Sequence, residues 1–333
     1  LIIPEFLKTE GTCNEFSGTF QMKGDKILLK FILKRLGYTI FVLLGVSILS
    51  FGLLKLTPGS PARLMLSDDA TEEQIKEKEI EMGLDKPLMT QYLSYMSGVV
   101  RGDLGDSLFY KMPNSKLIFQ RLPATAYLTL VAMGIALLIG IPVGIIAGVK
   151  RGTAIDFTAM VFGLLGQSIS GVVLGLIFIL FFAVKLGWLP AMGYGGFEYV
   201  IMPATSLAMQ MAALISRMLR SGMADVLQED YITATYAKGI SSKEINLKYA
   251  LRNAILPVIT IVGLQVGTFL GGAVVTEQIF GWPGIGTLTV QAIGLRDFPL
   301  VQSILLVISA CFVLVNLLVD IIYTLVDPRM DFN

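Results

Sequence analysis

Six stretches of this chain are too apolar to face water over their whole length: about 31–57, 124–149, 157–185, 199–216, 255–276 and 301–326. The hydrocarbon core of a bilayer is about 30 Å thick, and an α-helix crosses it in roughly 20 residues. Inside lipid every backbone N–H and C=O must find its partner within the segment or its neighbours, so stretches of this length fold as helices. Hydrophobic residues make up 54% of the 333 and charged residues only 15%, against about a quarter charged in soluble domains. The mean hydropathy of +0.72 agrees. The expectation is an all-α polytopic membrane protein with six transmembrane helices, the fourth being the shortest and starting near Pro203.

Orientation follows from the short connections. Lys23, Lys26, Lys30, Lys34 and Arg35 crowd the front of the first stretch, and Lys150 and Arg151 separate the second from the third. Arg217, Arg220, Lys238, Lys243, Lys248 and Arg252 lie between the fourth and fifth. Positive charge is retained on the cytoplasmic side, which puts all three clusters and both termini there. The external parts are then 58–122, 186–198 and 277–300. Within the first, Thr71 and Gln74 have capping-box spacing and Gly83 suits a helix end, predicting a short external helix. The chain divides into a polar extension 1–21, which reads either as upstream or non-native sequence ahead of Met22 or as an authentic cytoplasmic tail, and an N-terminal segment with the first span, 22–57. An external segment 58–122, a five-helix core 123–326 and a tail 327–333 follow.

Several chemistries are excluded. The chain has no histidine, which removes the usual general base and the commonest zinc ligand. No Gly-x-x-x-x-Gly-Lys-Ser/Thr loop is present, so ATP, if it drives anything here, is bound by another polypeptide. A net charge of +1 gives no reason to expect nucleic acid. Cys13 and Cys311 do not form a disulfide framework. Few ionisable residues lie inside the apolar stretches, which disfavours an ion-coupled secondary carrier. Asp320 near a helix end is the exception, and it reads as solvated. Gln167, Gln210, Gln265 and Thr268 are candidates to line a translocation path; the alternative is bridging between helices for the glutamines and bonding to its own helix backbone for Thr268. Gly134, Gly140, Gly144 and Gly148 read as a close-packing face rather than a flexible gate.

Between the fourth and fifth stretches a soluble island, 225–253, is built to break and restart a helix. Met223, Val226, Leu227, Tyr231, Ala234 and Ala237 recur at helical spacing before the break. Gly239 suits a left-handed closing residue, and Ser241 with Glu244 has the Ser-x-x-Glu spacing of a reciprocal cap. Asp230 to Glu244 should therefore form two short helices at a fixed bend.

This island resembles the cytoplasmic EAA loop of binding-protein-dependent ABC importers, in the oligopeptide/dipeptide (peptide/nickel) branch. Thr233-Ala234-Thr235 stands at the EAA positions, followed by Gly239 and by Ile255-Leu256-Pro257. Thr233 replaces the generic Glu, and the gap from Gly239 to Leu256 is longer than in the generic form; both departures match the peptide-permease variant. Gly83-Leu-Asp-Lys-Pro-Leu with Gln91-Tyr-Leu, Arg101-Gly-Asp-Leu-Gly105 and Arg121-Leu-Pro-Ala-Thr125 are similar to that branch's external segment. Glu277-Gln-Ile-Phe-Gly-Trp-Pro-Gly-Ile-Gly286, Arg296-Asp-Phe-Pro299 and Asp327-Pro-Arg329 are similar to its last external loop and tail. The resemblance implies a type I ABC importer permease fold in a prokaryotic inner membrane. It implies a non-enzymatic subunit without a cofactor, with ATP and Mg held by two ATP-binding subunits. A homologous permease and an extracytoplasmic substrate-binding protein would complete the assembly. Di- or oligopeptides are the expected cargo, with nickel chelates, glutathione or oligosaccharides as the alternative. Coupling to the ATP-binding subunit would fall to Asp230, Thr233, Ala234, Thr235, Lys238, Gly239, Ser241 and Glu244, and the external entrance to Glu277, Trp282, Arg296 and Asp297.

Overall fold

The computed structural model describes residues 70–81 and 83–326, together with the helix 37–52 and positions 35, 62, 63 and 66. The extension 1–21, the tail 327–333 and both ends of the first apolar stretch lie outside the described residues. Every named element is helical. In chain order they are α1 (Gly37–Gly52), α2 (Glu72–Glu81), α3 (Leu88–Val100), α4 (Asn114–Val149), α5 (Ala154–Ser168) and α6 (Gly171–Phe178). Then come α7 (Phe197–Val226), α8 (Asp230–Ala237), α9 (Ser242–Ala254), α10 (Leu256–Gly272), α11 (Val274–Ile279), α12 (Ile285–Gly294) and α13 (Phe298–Val326). Wider π turns prolong α6 through Ile179–Lys185 and occupy Ile245–Ala250 within α9.

Among the described residues three helices, α4, α7 and α13, are long and apolar enough to cross a membrane unbroken. Two further spans exist if bent pairs are counted as one: α5 with α6, at 96°, and α9 with α10, at 53°. The stretch 157–185, expected as one continuous helix, is therefore broken at Ile169 and Ser170, both extended, with ψ of 122° and 139°. Ser170 starts α6 by accepting the Val172 N–H on its side-chain oxygen at 3.3 Å, the usual way of satisfying an orphan helix donor. α7 runs well past the apolar stretch 199–216, because Leu219 and Met223 continue its buried stripe. Arg220, which would otherwise end it in solvent, is paired with Asp156.

The α4–α7 pair is the spine. Gly140, Gly144 and Gly148 sit directly against Ile215, Leu219 and Met223; a Cβ on any of them would lie 2.6–2.9 Å from the opposing Cβ, too close to be tolerated. Small residues permit this approach of backbones in lipid. Gly134, at the start of the same series, faces open space and takes no part. Around the spine, Met133, Met211, Ile215, Leu219, Met223, Ile232, Ile245 and Val258 form one buried cluster that carries α8 and α9 with it. At the opposite end Ile118, Ile285, Leu288, Leu300 and Ile304 bury α12 between α4 and α13. The short helix expected after residue 70 is α2, and its capping box is complete: Thr71 N–H donates to Gln74 Oε1 at 3.0 Å, and Gln74 N–H to Thr71 Oγ1 at 3.4 Å.

Candidate functional site

Three regions hold the residues of interest. The first is the elbow between α8 and α9. Gly239 has φ +77°, a conformation that costs glycine little and a β-branched residue much. An added Cβ there would meet no neighbour within 4 Å, so the demand is one of backbone alone. Ser241 caps α9 by accepting the Glu244 N–H at 3.3 Å. The reciprocal half of the expected box is replaced by an ion pair, because the Glu244 carboxylate turns to Lys248 Nζ at 3.3 Å. Ile232 and Ile245 are fully buried beneath the elbow, and Thr235 is buried with its hydroxyl donating to Tyr231 O at 2.7 Å. Asp230, Thr233, Ala234, Lys238, Gly239, Ser241 and Glu244 remain exposed. The buried face is thus Ile232 and Thr235 rather than the Tyr231–Ala234 series of the sequence reading. The turn at Leu227–Glu229 ends α7 and resets the helical phase. Tyr231 is instead 40% exposed, and its hydroxyl accepts a hydrogen bond from Asn253 Nδ2 at 2.7 Å, which ties α8 to α9.

Toward the neighbouring end of α5, Asp156 is buried and receives two bonds from Arg220 of α7, one of them at 2.8 Å from Nη2, as well as the Gly152 N–H at 2.9 Å. A planar guanidinium matches a carboxylate in this two-point fashion. Nothing in the local sequence marks Asp156 beyond its being an isolated acid in a first helical turn.

The second region is the break between α5 and α6. Gln167 is exposed at its edge, and Gln210 of α7 donates from Nε2 to the carbonyl of Ile169 at 3.1 Å. Two of the four path candidates, far apart in the chain, therefore meet at one place. Gln265 is half-buried on α10, with Thr268 a turn further along the same helix.

The third region is the turn system after α10. Glu277 is fully buried at the N-terminus of α12: its Oε1 accepts from Thr125 Oγ1 at 2.6 Å and its Oε2 from the Thr287 N–H at 2.9 Å. The Thr125 oxygen in turn accepts the Ile285 N–H at 2.8 Å. A carboxylate here satisfies orphan helix donors and complements the positive end of the helix. Burial pushes the Glu277 carboxyl above its ordinary value, and the bonds from Thr125, Thr287 and Gly286 only partly oppose this. Trp282 is also buried, its indole N–H donating to Ala124 O at 2.9 Å while Tyr194 meets the ring edge-on at 4.8 Å. Asp297 is buried too. It accepts from the Ser107 hydroxyl, from the N–H groups of Leu108 and Phe109 at 3.2 Å, and from Leu300 N–H at 3.3 Å, which caps α13. Of the four residues expected at an entrance, only Arg296 is exposed, with φ +54°. The other three are internal anchors.

The helical arrangement is shared with solved transporters. It is similar to two crystal forms of the inward-facing MetNI methionine ABC transporter, with a TM-score of 0.54, 21% and 20% identity, and coverage of 63% of this chain and 96% of that one. This defines an ABC importer permease fold. Residues 140–332 match the family described as binding-protein-dependent transport system inner membrane component, and residues 28–129 match its N-terminal membrane component. The chain belongs to that family. Among curated relatives, the glutathione transport system permease protein GsiC of Salmonella typhimurium (strain LT2) is 39% identical, and that of Escherichia coli (strain K12) 38%. Both alignments span 306 residues, 92% of this chain and the whole of the relative. The protein is accordingly a multi-pass inner membrane component of a binding-protein-dependent ABC transporter, a transport subunit without catalysis or cofactor of its own.

Proposed function

We propose that this chain is one half of the translocation path of an ATP-driven importer for peptide-like cargo, glutathione and other short peptides among them. The relatives that carry glutathione in their name support that cargo class. In this reading six helices cross the membrane, with both termini and the α8–α9 elbow in the cytoplasm. A homologous permease completes the path, two ATP-binding subunits dock beneath, and an extracytoplasmic binding protein delivers the cargo. The observation that carries the coupling role is the elbow itself: an exposed polar face from Asp230 to Glu244, seated on the buried Ile232 and Ile245 that belong to the same packed cluster as α7. A force applied to that face is transmitted to the spine through close contact, as rigid-body motion. Glu277, Trp282 and Asp297 then hold the external end together behind an entrance to which Arg296 is exposed.

The test is reconstitution of the chain with its cognate subunits in proteoliposomes. Uptake of reduced glutathione or a dipeptide should need both ATP and loaded binding protein, and the purified chain alone should not hydrolyse ATP. Uptake that persists without ATP and follows an ion gradient would overturn the reading.

A further inference from the structure

The break between α5 and α6 exposes backbone where a membrane helix is expected to hide it. Ile169 N–H still reaches back one turn to Leu165 O, but because Ile169 and Ser170 are extended the next N–H groups do not: Val172 N–H goes to the Ser170 side chain, and Gly171 N–H finds no acceptor among the described residues. Among the described residues, the carbonyl oxygens of Gln167 and Ser168 accept no hydrogen bond, and both residues are exposed. Nothing among the described residues donates to the Gln210 Oε1 oxygen either, while its Nε2 is engaged with Ile169. Ser168 lies fourteen residues beyond Ala154, about 21 Å along α5 at 1.5 Å per residue, well inside a hydrocarbon core about 30 Å thick. Open carbonyls do not face lipid at that depth; they occur where they line water or are covered by polar matter.

The cluster also has a chemical sense. The Gln167 and Ser168 carbonyls and Gln210 Oε1 are open acceptors beside the donors of the Gln167 carboxamide and the Gly171 N–H, and the surrounding Gln167, Ser168, Ile169, Ser170, Gly171 and Gln210 carry no ionisable side chain. The acceptors can receive the N–H groups of an ammonium, and none of these residues brings a cation to repel it or to pair with a carboxylate. We propose that this break is a water-lined station at which the protonated amino end of a peptide-like cargo is held during passage. The proposal deepens the importer reading and rests on it for the cargo class.

The experiment uses the assembled complex with Cys13 and Cys311 replaced by serine and a single reporter, Ser168→Cys, with Gln167→Cys in parallel should the first fail to assemble. A small charged methanethiosulfonate should label the reporter, but not Leu138→Cys, which lies 77% exposed on the apolar surface of α4. Millimolar tri-alanine should slow labelling several-fold, and N-acetyl-tri-alanine, which lacks the ammonium, should not. A reporter as unreactive as Leu138→Cys would overturn the proposal, as would equal protection by both peptides or by neither. If tri-alanine alone protects while the wild-type complex shows no ATP-driven peptide uptake, the importer's cargo assignment falls and the station stands.

Discussion

The Glu277–Asp297 turn system and the Gly239 elbow are both compact, helix-capped connections, yet they are built in opposite ways. Around Glu277 and Asp297 the polar groups are turned inward, and each carboxylate is spent on capping a helix and pinning a distant part of the chain. Around Gly239 only Ile232, Thr235 and Ile245 are turned inward, and the charges face out. A buried polar network left half-satisfied is worse than none, so the first region tolerates little change in itself. The second can lose a surface contact with little harm to the fold. One end is a fastening; the other, on the function proposed above, is a handle.

Substitutions should separate the two. The largest effect on stability is expected from Glu277→Ala, which strands the Thr125 and Thr287 donors in a buried site and should cost on the order of 2–4 kcal/mol. Thermal unfolding in detergent measures it, and a melting temperature equal to wild type would erase the contrast. Gly239→Val follows. Strain at positive φ is roughly 1–3 kcal/mol, relieved by re-aiming α9, so ATP-coupled transport and stimulated ATPase should fall in proteoliposomes matched for assembled complex. Wild-type values of both would show that the bend does not couple. A subtler effect concerns pH. Since the folded Glu277 carboxyl titrates above its unfolded value, the folded state binds the extra proton in the window between them. The stabilisation is complete below the ordinary carboxylate range and is lost as pH rises through the elevated value. Glu277→Gln should flatten that decline in pH-dependent melting curves; an unchanged slope would assign it elsewhere. Ser241→Ala, which removes one cap from α9, should cost only about 0.5–1 kcal/mol, visible as faster amide exchange across 242–250 with global unfolding barely moved. No change in exchange there would mean that the cap is idle.

Much of this contrast could be read from residue order, and the rest could not. Gly239 and Ser241 announce the elbow because their signals are local, within three residues of the turn they make. The break at Ile169–Ser170 was hidden inside 157–185, since a run that stays apolar on both sides looks the same whether or not the helix stops. The only trace was Ser170-Gly171, a cap too short to outweigh hydropathy. Glu277 and Asp297 looked like residues of an exposed loop, because the partners that bury them come from far off: Thr125 is 152 positions away and Ser107 is 190. Composition shows that an acid is present; only the fold shows what it faces.

The packing of α4 on α7 has a mechanical consequence. Ile215, Leu219 and Met223 are notched into Gly140, Gly144 and Gly148 at four-residue intervals. The next register in which the notches coincide lies about 6 Å along the axis, and any shorter slide drives a side chain into backbone. The two helices therefore have no small gear between rest and a full step. Whatever displaces the elbow at one end must turn them together, as a single lever.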